Sequence, residues 1–274
     1  GLNMSQYGGR HILPCFVECG KEAIANNRLL VMFTPNNAPQ VVSGDAVAMA
    51  GITSPPADWA GANQPPTGCV AQGRLWGFLG HLGYYSNINA HQNFTSSVND
   101  TSGTIPVYPG DGEYILASCA WGPYIMVWKY PVGVYLIDVT SPVPFTWTVR
   151  RLSKNVGIDS ALAWAYGDND IYFTWCGHPF AASLLNDQSN PQNADLSVSR
   201  NLTPFIHDRM DLSRFDHVQA IYHALKREFQ WTQSYAGSVV NDVRLVMDLN
   251  RPGMIRFRYS DLDVCESLWL RKDA

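Results

Sequence analysis

The stretch Gly122-Pro123-Tyr124-Ile125-Met126-Val127-Trp128 decides how the rest of the chain is read. A glycine–proline turn opens directly into a run of β-branched and aromatic residues. Glycine tolerates the positive φ, and proline supplies the fixed φ, that tight hairpins need. The residues after the turn favour a pleated, half-buried strand. Three further segments repeat the arrangement: Asn26-Asn27-Arg28-Leu29-Leu30-Val31-Met32-Phe33, Gln72-Gly73-Arg74-Leu75-Trp76-Gly77-Phe78 and Asp168-Asn169-Asp170-Ile171-Tyr172-Phe173. Their first apolar residues, Leu29, Leu75, Tyr124 and Ile171, are separated by 46, 49 and 47 positions. A fifth copy, Lys226-Arg227-Glu228-Phe229-Gln230-Trp231, follows after 58, the surplus falling in the polar stretch Asn186 to Arg200.

Strand-forming sequence surrounds each copy. Gly112 to Ala120 and Ser160 to Tyr166 precede their turns. Third strands are read at Gln40 to Val42, Gly83 to Ser86, Val132 to Val139, Pro179 to Leu185 and Val243 to Leu249, and fourth strands at Phe145 to Leu152 and Met254 to Tyr259. Four short antiparallel strands every ~40–50 residues make the blade of a β-propeller. One such sheet cannot bury both of its faces, so blades must bury one another. The expected fold is therefore all-β, a single propeller over residues 1–274 with about five to six four-stranded antiparallel blades. The blade hairpins are placed near 10–50, 66–108, 112–153, 158–203 and 216–260, and the flanks Gly9 to Cys19 and Val264 to Leu270 are available to close the ring. Val218, Ile221, Tyr222, Leu225 and Phe229 also fit a helical period; the repeat favours a hairpin turning near Leu225 to Arg227. A short helical turn is read at Asp208 to Arg214.

Composition excludes several classes. The 274 residues carry 15% charged and 12% aromatic side chains, with a formal net charge of −4. That aromatic content is incompatible with a disordered chain. The low charge leaves much of the surface neutral, as is common where subunits pack. No basic stripe of the kind that grips phosphates is present, and no apolar run is long enough for a membrane-spanning helix. The six cysteines are scattered. Cys15 and Cys19, four apart on a strand, lie too far from each other for a bridge, so the thiols read as small buried side chains in a reducing compartment.

Chemistry-bearing motifs are sparse. There is no phosphate-binding glycine loop, nucleophile elbow, H-E-x-x-H or C-x-x-C. His207, Asp208, Asp211, Asp216 and His217 form an acidic–histidine cluster whose spacing matches no recognised metal site, so it is read as a solvated turn with helix-capping aspartates and not as a metal site. Asp168 and Asp170 flank a turn; carboxylates there can bind calcium or act as an acid/base pair, but the same residues are ordinary turn formers and are read as such. Asp111 and Glu113 carry the same ambiguity. No cofactor is expected.

One ordered series goes beyond a generic propeller. It runs from Gln72-Gly73-Arg74-Leu75-Trp76-Gly77-Phe78-Leu79-Gly80 to Tyr84-Tyr85-Ser86, then Tyr108-Pro109-Gly110-Asp111-Gly112-Glu113-Tyr114-Ile115, Ile125 to Lys129 and Val134 to Ile137. It continues through Arg151 to Gly157, Asn169-Asp170-Ile171-Tyr172-Phe173 and Leu196-Ser197, and ends at Asn241-Asp242-Val243-Arg244-Leu245-Val246-Met247-Asp248. The signature positions are Arg74, Leu75, Trp76, Asp111, Tyr124, Gly157, Asp170, Tyr172 and Asp242. In this order the chain resembles the β-propeller structural proteins of phage tails, including the nozzle proteins of short-tailed phages, over roughly Pro65 to Tyr259. It lacks the insertions between blades that those proteins carry.

The resemblance implies a ring, commonly sixfold, in the virion tail around the channel through which DNA leaves. It implies adaptor or portal proteins on one side and tail-tip or fibre proteins on the other, only passive contact with DNA, and synthesis in the bacterial host's cytoplasm. It implies no catalytic residue. The alternative reading is a carbohydrate-binding or glycoside-hydrolysing propeller, whose acid/base carboxylates are sought among Asp111, Glu113, Asp168 and Asp170. No S-x-D-x-G-x-x-W turn of the sialidase type is present, and the WD and kelch signatures are missing too.

Overall fold

A computed structural model describes residues 6–7, 10–21, 28–44, 48–96, 101–186, 202–250 and 255–259. These residues are mostly β-strand and belong to two compact units, residues 1–154 and 155–274.

The first unit begins with a two-residue pair, β1 (Gln6–Tyr7) and β2 (Arg10–His11). Three four-stranded antiparallel meanders follow. The first sheet contains β3 (Cys15–Lys21), β4 (Arg28–Thr34), β5 (Asn37–Ser43) and β6 (Ala50–Gly51). In the second are β7 (Thr67–Ala71), β8 (Arg74–Leu79), β9 (Leu82–Tyr85) and β10 (Gly103–Pro106). The third holds β11 (Tyr114–Trp121), β12 (Tyr124–Tyr130), β13 (Val134–Asp138) and β14 (Thr148–Ser153). Cys15 to Cys19, read from sequence as part of a closing flank, form most of β3 and so belong to the first sheet. The other proposed closing strand, Val264 to Leu270, lies outside the described residues, as does most of Asn186 to Arg200.

Turn chemistry sets these hairpins. At Gln72-Gly73 both residues have positive φ (52° and 65°), the type I′ geometry that matches the twist of the flanking strands. The first strands of the three sheets lie side by side, β7 between β3 and β11. The Thr67 and Ser118 hydroxyls bond across the β7–β11 contact at 3.1 Å, and the Ile115 N–H donates to the Gly80 carbonyl at 2.7 Å.

Alternation along β8 divides its side chains between two cores. Leu75 joins Cys15, Val17, Leu29, Val31, Phe33 and Tyr84 between the first and second sheets. Trp76 and Phe78 join Ile125, Val127, Tyr135, Ile137 and Trp147 between the second and third. The second sheet is thus sandwiched. Gly77 faces the first core, where an added Cβ would come within 2.6 Å of the Trp59 ring and 3.2 Å of Phe33. Trp59 is buried and holds Tyr84 and Phe94 edge-on or tilted, so it has little room to yield. Gly77→Ala is expected to cost about 1–3 kcal/mol as an overpacked core, read from the midpoint of denaturant unfolding; an unchanged midpoint would show that Trp59 moves freely.

The second unit carries β15 (Trp164–Tyr166), β16 (Ile171–Trp175) and β17 (His178–Ala181) in a three-stranded sheet. A helix, α1 (Thr203–Arg209), and a 3-10 turn, Leu212–His217, follow. Then come β18 (Gln219–His223), β19 (Glu228–Gln233), β20 (Val243–Asp248) and β21 (Ile255–Tyr259) as a further four-stranded meander. The segment with two readings is a hairpin: Gln219 pairs with Thr232 and His223 with Glu228, leaving Leu225 at the turn, 95% exposed. The helical turn read at Asp208 to Arg214 is displaced. The helix starts earlier, at Thr203, and Asp211 caps the separate 3-10 turn by accepting the Ser213 N–H at 3.0 Å.

β15 lies beside β18. Between them the Ser160 hydroxyl donates to the Val218 carbonyl, and the Ala220 N–H donates to the Leu162 carbonyl at 2.9 Å. Buried Asp159 accepts the Cys176 and Gly177 N–H groups at 2.6 and 2.9 Å, which fixes the β16–β17 turn. Four cysteines, Cys15, Cys19, Cys69 and Cys119, are buried thiols as expected; Cys176 departs from that reading and is exposed in this turn.

Candidate functional site

The loop that joins the second and third sheets closes over a cluster of charged side chains in the first unit. Positive φ at Tyr108 (42°), Gly110 (87°) and Gly112 (75°) curls residues 108–112 back over the sheet end. Beneath it Lys129, near the end of β12, is fully buried. Its Nζ donates to Asp111 Oδ2 at 2.5 Å and to the Tyr108 carbonyl at 2.9 Å, and lies 5.1 Å from the centroid of the Tyr135 ring. The Tyr135 hydroxyl also donates to Asp111 Oδ2, at 3.3 Å, while Asp111 Oδ1 accepts the Glu113 N–H at 3.1 Å. The Arg151 guanidinium sits 5.2 Å from the Tyr108 ring centroid.

Electrostatics follow from this packing. Burial alone would raise the Asp111 carboxyl, but the Lys129 ammonium and the Glu113 and Tyr135 donors outweigh it and hold Asp111 below its ordinary range. Glu113 moves the other way, raised first by burial and then by the Asp111 charge. Tyr135 is pushed up to about 12 by burial and by the two carboxylates. Asp111 therefore works as the counter-ion of a buried ammonium, a role the sequence reading did not contain. The missing signal was Lys129: a lysine that directly continues the apolar run Ile125 to Trp128 on the same buried strand demands a partner.

In the second unit Asp168 and Asp170 are engaged separately. Asp168 accepts from the Tyr222 hydroxyl and from Arg227 Nε, the latter at 2.5 Å. These contacts, Tyr222 first, lower its carboxyl, while Tyr222 rises to about 12 through burial and the adjacent carboxylate. Arg227 itself has φ 53° and reaches Asn250 Oδ1 at 3.1 Å. Asp170 instead accepts the Ile171 N–H at 2.8 Å and the Ser183 hydroxyl at 2.5 Å. An acid/base pair must face one scissile bond from two sides. Here one carboxylate ties two hairpin turns together and the other fixes the start of a strand to the 3-10 turn Ala182–Asn186.

His207 and Asp208 are exposed neighbours on α1. Among the described residues no group of three His, Cys, Asp or Glu side chains is arranged to hold a metal ion.

The remaining signature residues have structural places in the sheets and their connections. Arg74, almost wholly buried, donates to the Ser86 and Thr101 carbonyls at 2.7 Å each and lies 5.6 Å from the Tyr85 ring centroid, so it pins the long β9–β10 connection to β8. Leu75 and Trp76 are core residues. Tyr124 opens β12 opposite Trp121 and Asp138. Gly157 is buried, Tyr172 packs on Phe229 with centroids 5.7 Å apart, and Asp242 accepts the Tyr235 N–H at 2.8 Å.

Comparison with models of known protein families and with curated proteins gives no match.

Proposed function

We propose that the chain is a structural subunit of a phage virion tail, a nozzle or neck component that assembles into a ring around the DNA-exit channel. Its sheets would be the blades of a propeller, and its neighbours adaptor or portal proteins and tail-tip proteins. The observation that carries this reading is the run of consecutive antiparallel meanders, with the first strands of successive sheets adjacent within each unit. This is the arrangement that blades adopt, and it coincides with the ordered motifs on which the resemblance to tail propellers rests. The engagement of Asp111, Asp168 and Asp170 in ion pairs and turn bonds favours a scaffold over a hydrolase. A weakly acidic chain also offers exiting DNA little to grip.

Electron microscopy and mass measurement of the purified chain, alone and with tail proteins, test the reading. Annular particles are expected, and Asp168→Asn and Asp170→Asn should form them as the parent does. A monomer that binds or cleaves glycans, with cleavage lost in either aspartate variant, would overturn it in favour of a carbohydrate-active protein.

A further inference from the structure

In the second unit, β16 and β19 face each other across a core that is not wholly apolar. Side chains alternate along a strand. Tyr172 and Thr174 therefore share one face of β16, and Phe229, Trp231 and Gln233 share one face of β19. Two contacts fix how these faces meet. The Tyr172 ring lies on the Phe229 ring, with 5.7 Å between centroids. Just past β16, the Gly177 carbonyl accepts from Gln233 Nε2 at 3.0 Å. Thr174 comes between Tyr172 and Gly177, and Trp231 between Phe229 and Gln233, so these two are brought opposite each other.

Thr174 and Trp231 are wholly buried, and Gln233 keeps only 1% of its surface. Yet each holds one polar atom that finds no hydrogen-bond partner among the described residues: Thr174 Oγ1, Trp231 Nε1 and Gln233 Oε1. The backbone of Thr174 is satisfied, since its N–H donates to the Ala163 carbonyl at 2.9 Å and its carbonyl accepts the Asp159 N–H at 3.0 Å. The two ends of the Gln233 amide cannot be exchanged. A carbonyl only accepts, so the amide nitrogen must be the end that faces Gly177, and the oxygen is left over. An unpaired buried polar atom costs more than a made hydrogen bond returns. Three of them along one pair of facing strands call for a ligand that pairs them all.

The chemistry of the three atoms selects that ligand. An indole N–H only donates, an amide oxygen only accepts, and a hydroxyl does both. A metal cation would confront the indole hydrogen, and an anion would confront the amide oxygen. Water suits all three: it accepts from Trp231, donates to Gln233 and bonds Thr174 in either sense, and three hydrogen bonds are usual for a buried water. The packing allows nothing much larger. At one end a Cβ added to Gly177 would come within 2.8 Å of Gln233 Nε2 and 3.1 Å of Ile206 and Phe215. At the other end Phe229 is stacked on Trp231, 5.4 Å between centroids. We infer that the second unit holds an ordered internal water between β16 and β19, bridging Thr174 Oγ1, Trp231 Nε1 and Gln233 Oε1. Its directional bonds fix the stagger of one sheet on the other, which apolar contact alone specifies less sharply. The inference stands whether or not the sheets belong to a ring.

Water contact at the Trp231 indole is the first test, made by nuclear magnetic resonance on the isotope-labelled full chain. The Trp231 indole signal is identified as the one lost in Trp231→Phe. It should show a nuclear Overhauser effect from water, with the rotating-frame sign of dipolar contact and not of proton exchange. The effect should persist in Thr174→Val, where two of the three partners remain. No contact in the parent chain would overturn the proposal, and so would a contact that vanishes in Thr174→Val, which would trace it to the threonine hydroxyl. Stability gives the second test through the sign of a change. Valine has the shape of threonine without the hydroxyl. At a dry site Thr174→Val removes an unpaired buried oxygen and stabilises the chain. With the water bound it removes one of the water's bonds, and the unfolded-to-folded ratio in urea should rise about fivefold, the net worth of one hydrogen bond. A Thr174→Val chain as stable as the parent, or more so, would overturn the proposal. Should that variant fail to fold, the water contact in the parent chain decides alone.

Discussion

Trp76→Ala is expected to destabilise the first unit by about 3–5 kcal/mol, the range for deleting a large buried aromatic. Trp76 is wholly buried, with Phe78 stacked at 6.1 Å between centroids and Tyr85 and Trp147 tilted at 5.0 and 5.1 Å. Its neighbours come from β8, β9 and the segment before β14, so its removal opens a void that two separate sheets must close together. Neither can do so freely. Arg74 ties the long connection after β9 to β8, and Trp147 is held by its bond to Ser141. Urea unfolding followed by circular dichroism measures the change. A loss below about 1 kcal/mol would mean that the second and third sheets slide together over the gap, and that this core is far looser than its burial implies.

The same residues show why this part of the fold was legible in the sequence. Turn residues followed by β-branched and aromatic runs recur near Leu29, Leu75, Tyr124 and Ile171, and each run is a second strand: β4, β8, β12 and β16. Local chemistry decides such hairpins, so a pattern of Gly, Pro and Asn before an apolar run suffices. The strand β10 was not legible. Gly103-Thr104-Ile105-Pro106 is short, has one strong strand former between Thr104 and a proline, and is separated from β9 by a long connection, so nothing local marks it; pairing with β9 does. The helix α1 was hidden for a related reason. Leu202 precedes it where a capping Ser, Thr, Asp or Asn is usual, and the side chain there makes no capping bond.

Site residues divide in the same way. Asp168 and Asp170 were visible as turn carboxylates, but the partners that give them their roles, Tyr222 with Arg227 and Ser183, are distant in sequence.

The second large effect is expected at Asp111. Asp111→Ala should destabilise the first unit by about 3 kcal/mol, because it strands a buried ammonium with the Tyr108 carbonyl and the Tyr135 ring for company. The figure is set at the low end for broken buried pairs since the Asp111 side chain keeps 23% of its surface exposed, where water offsets part of the loss. Adding Lys129→Met should restore most of the stability, since an apolar side chain of similar length needs no counter-ion in that position. Rescue is the diagnostic result: if the double variant is no more stable than Asp111→Ala, the loop is held by something other than this pair.

The pH profile gives an independent reading of the same pair. Asp111 has a folded-state pKa below its unfolded one, so its contribution is fully present above the ordinary carboxylate range and is lost as pH falls through the depressed value. Glu113 has the opposite sign. Its raised pKa means that folding favours its neutral form, so acidification through that value adds stability before Asp111 begins to titrate. Stability measured by urea unfolding at stepped pH should therefore hold or rise slightly on first acidification and then fall. In Asp111→Ala/Lys129→Met the component of that fall that belongs to the pair should be absent, and a doubly substituted chain that retains the full acid loss would place its origin in other carboxylates.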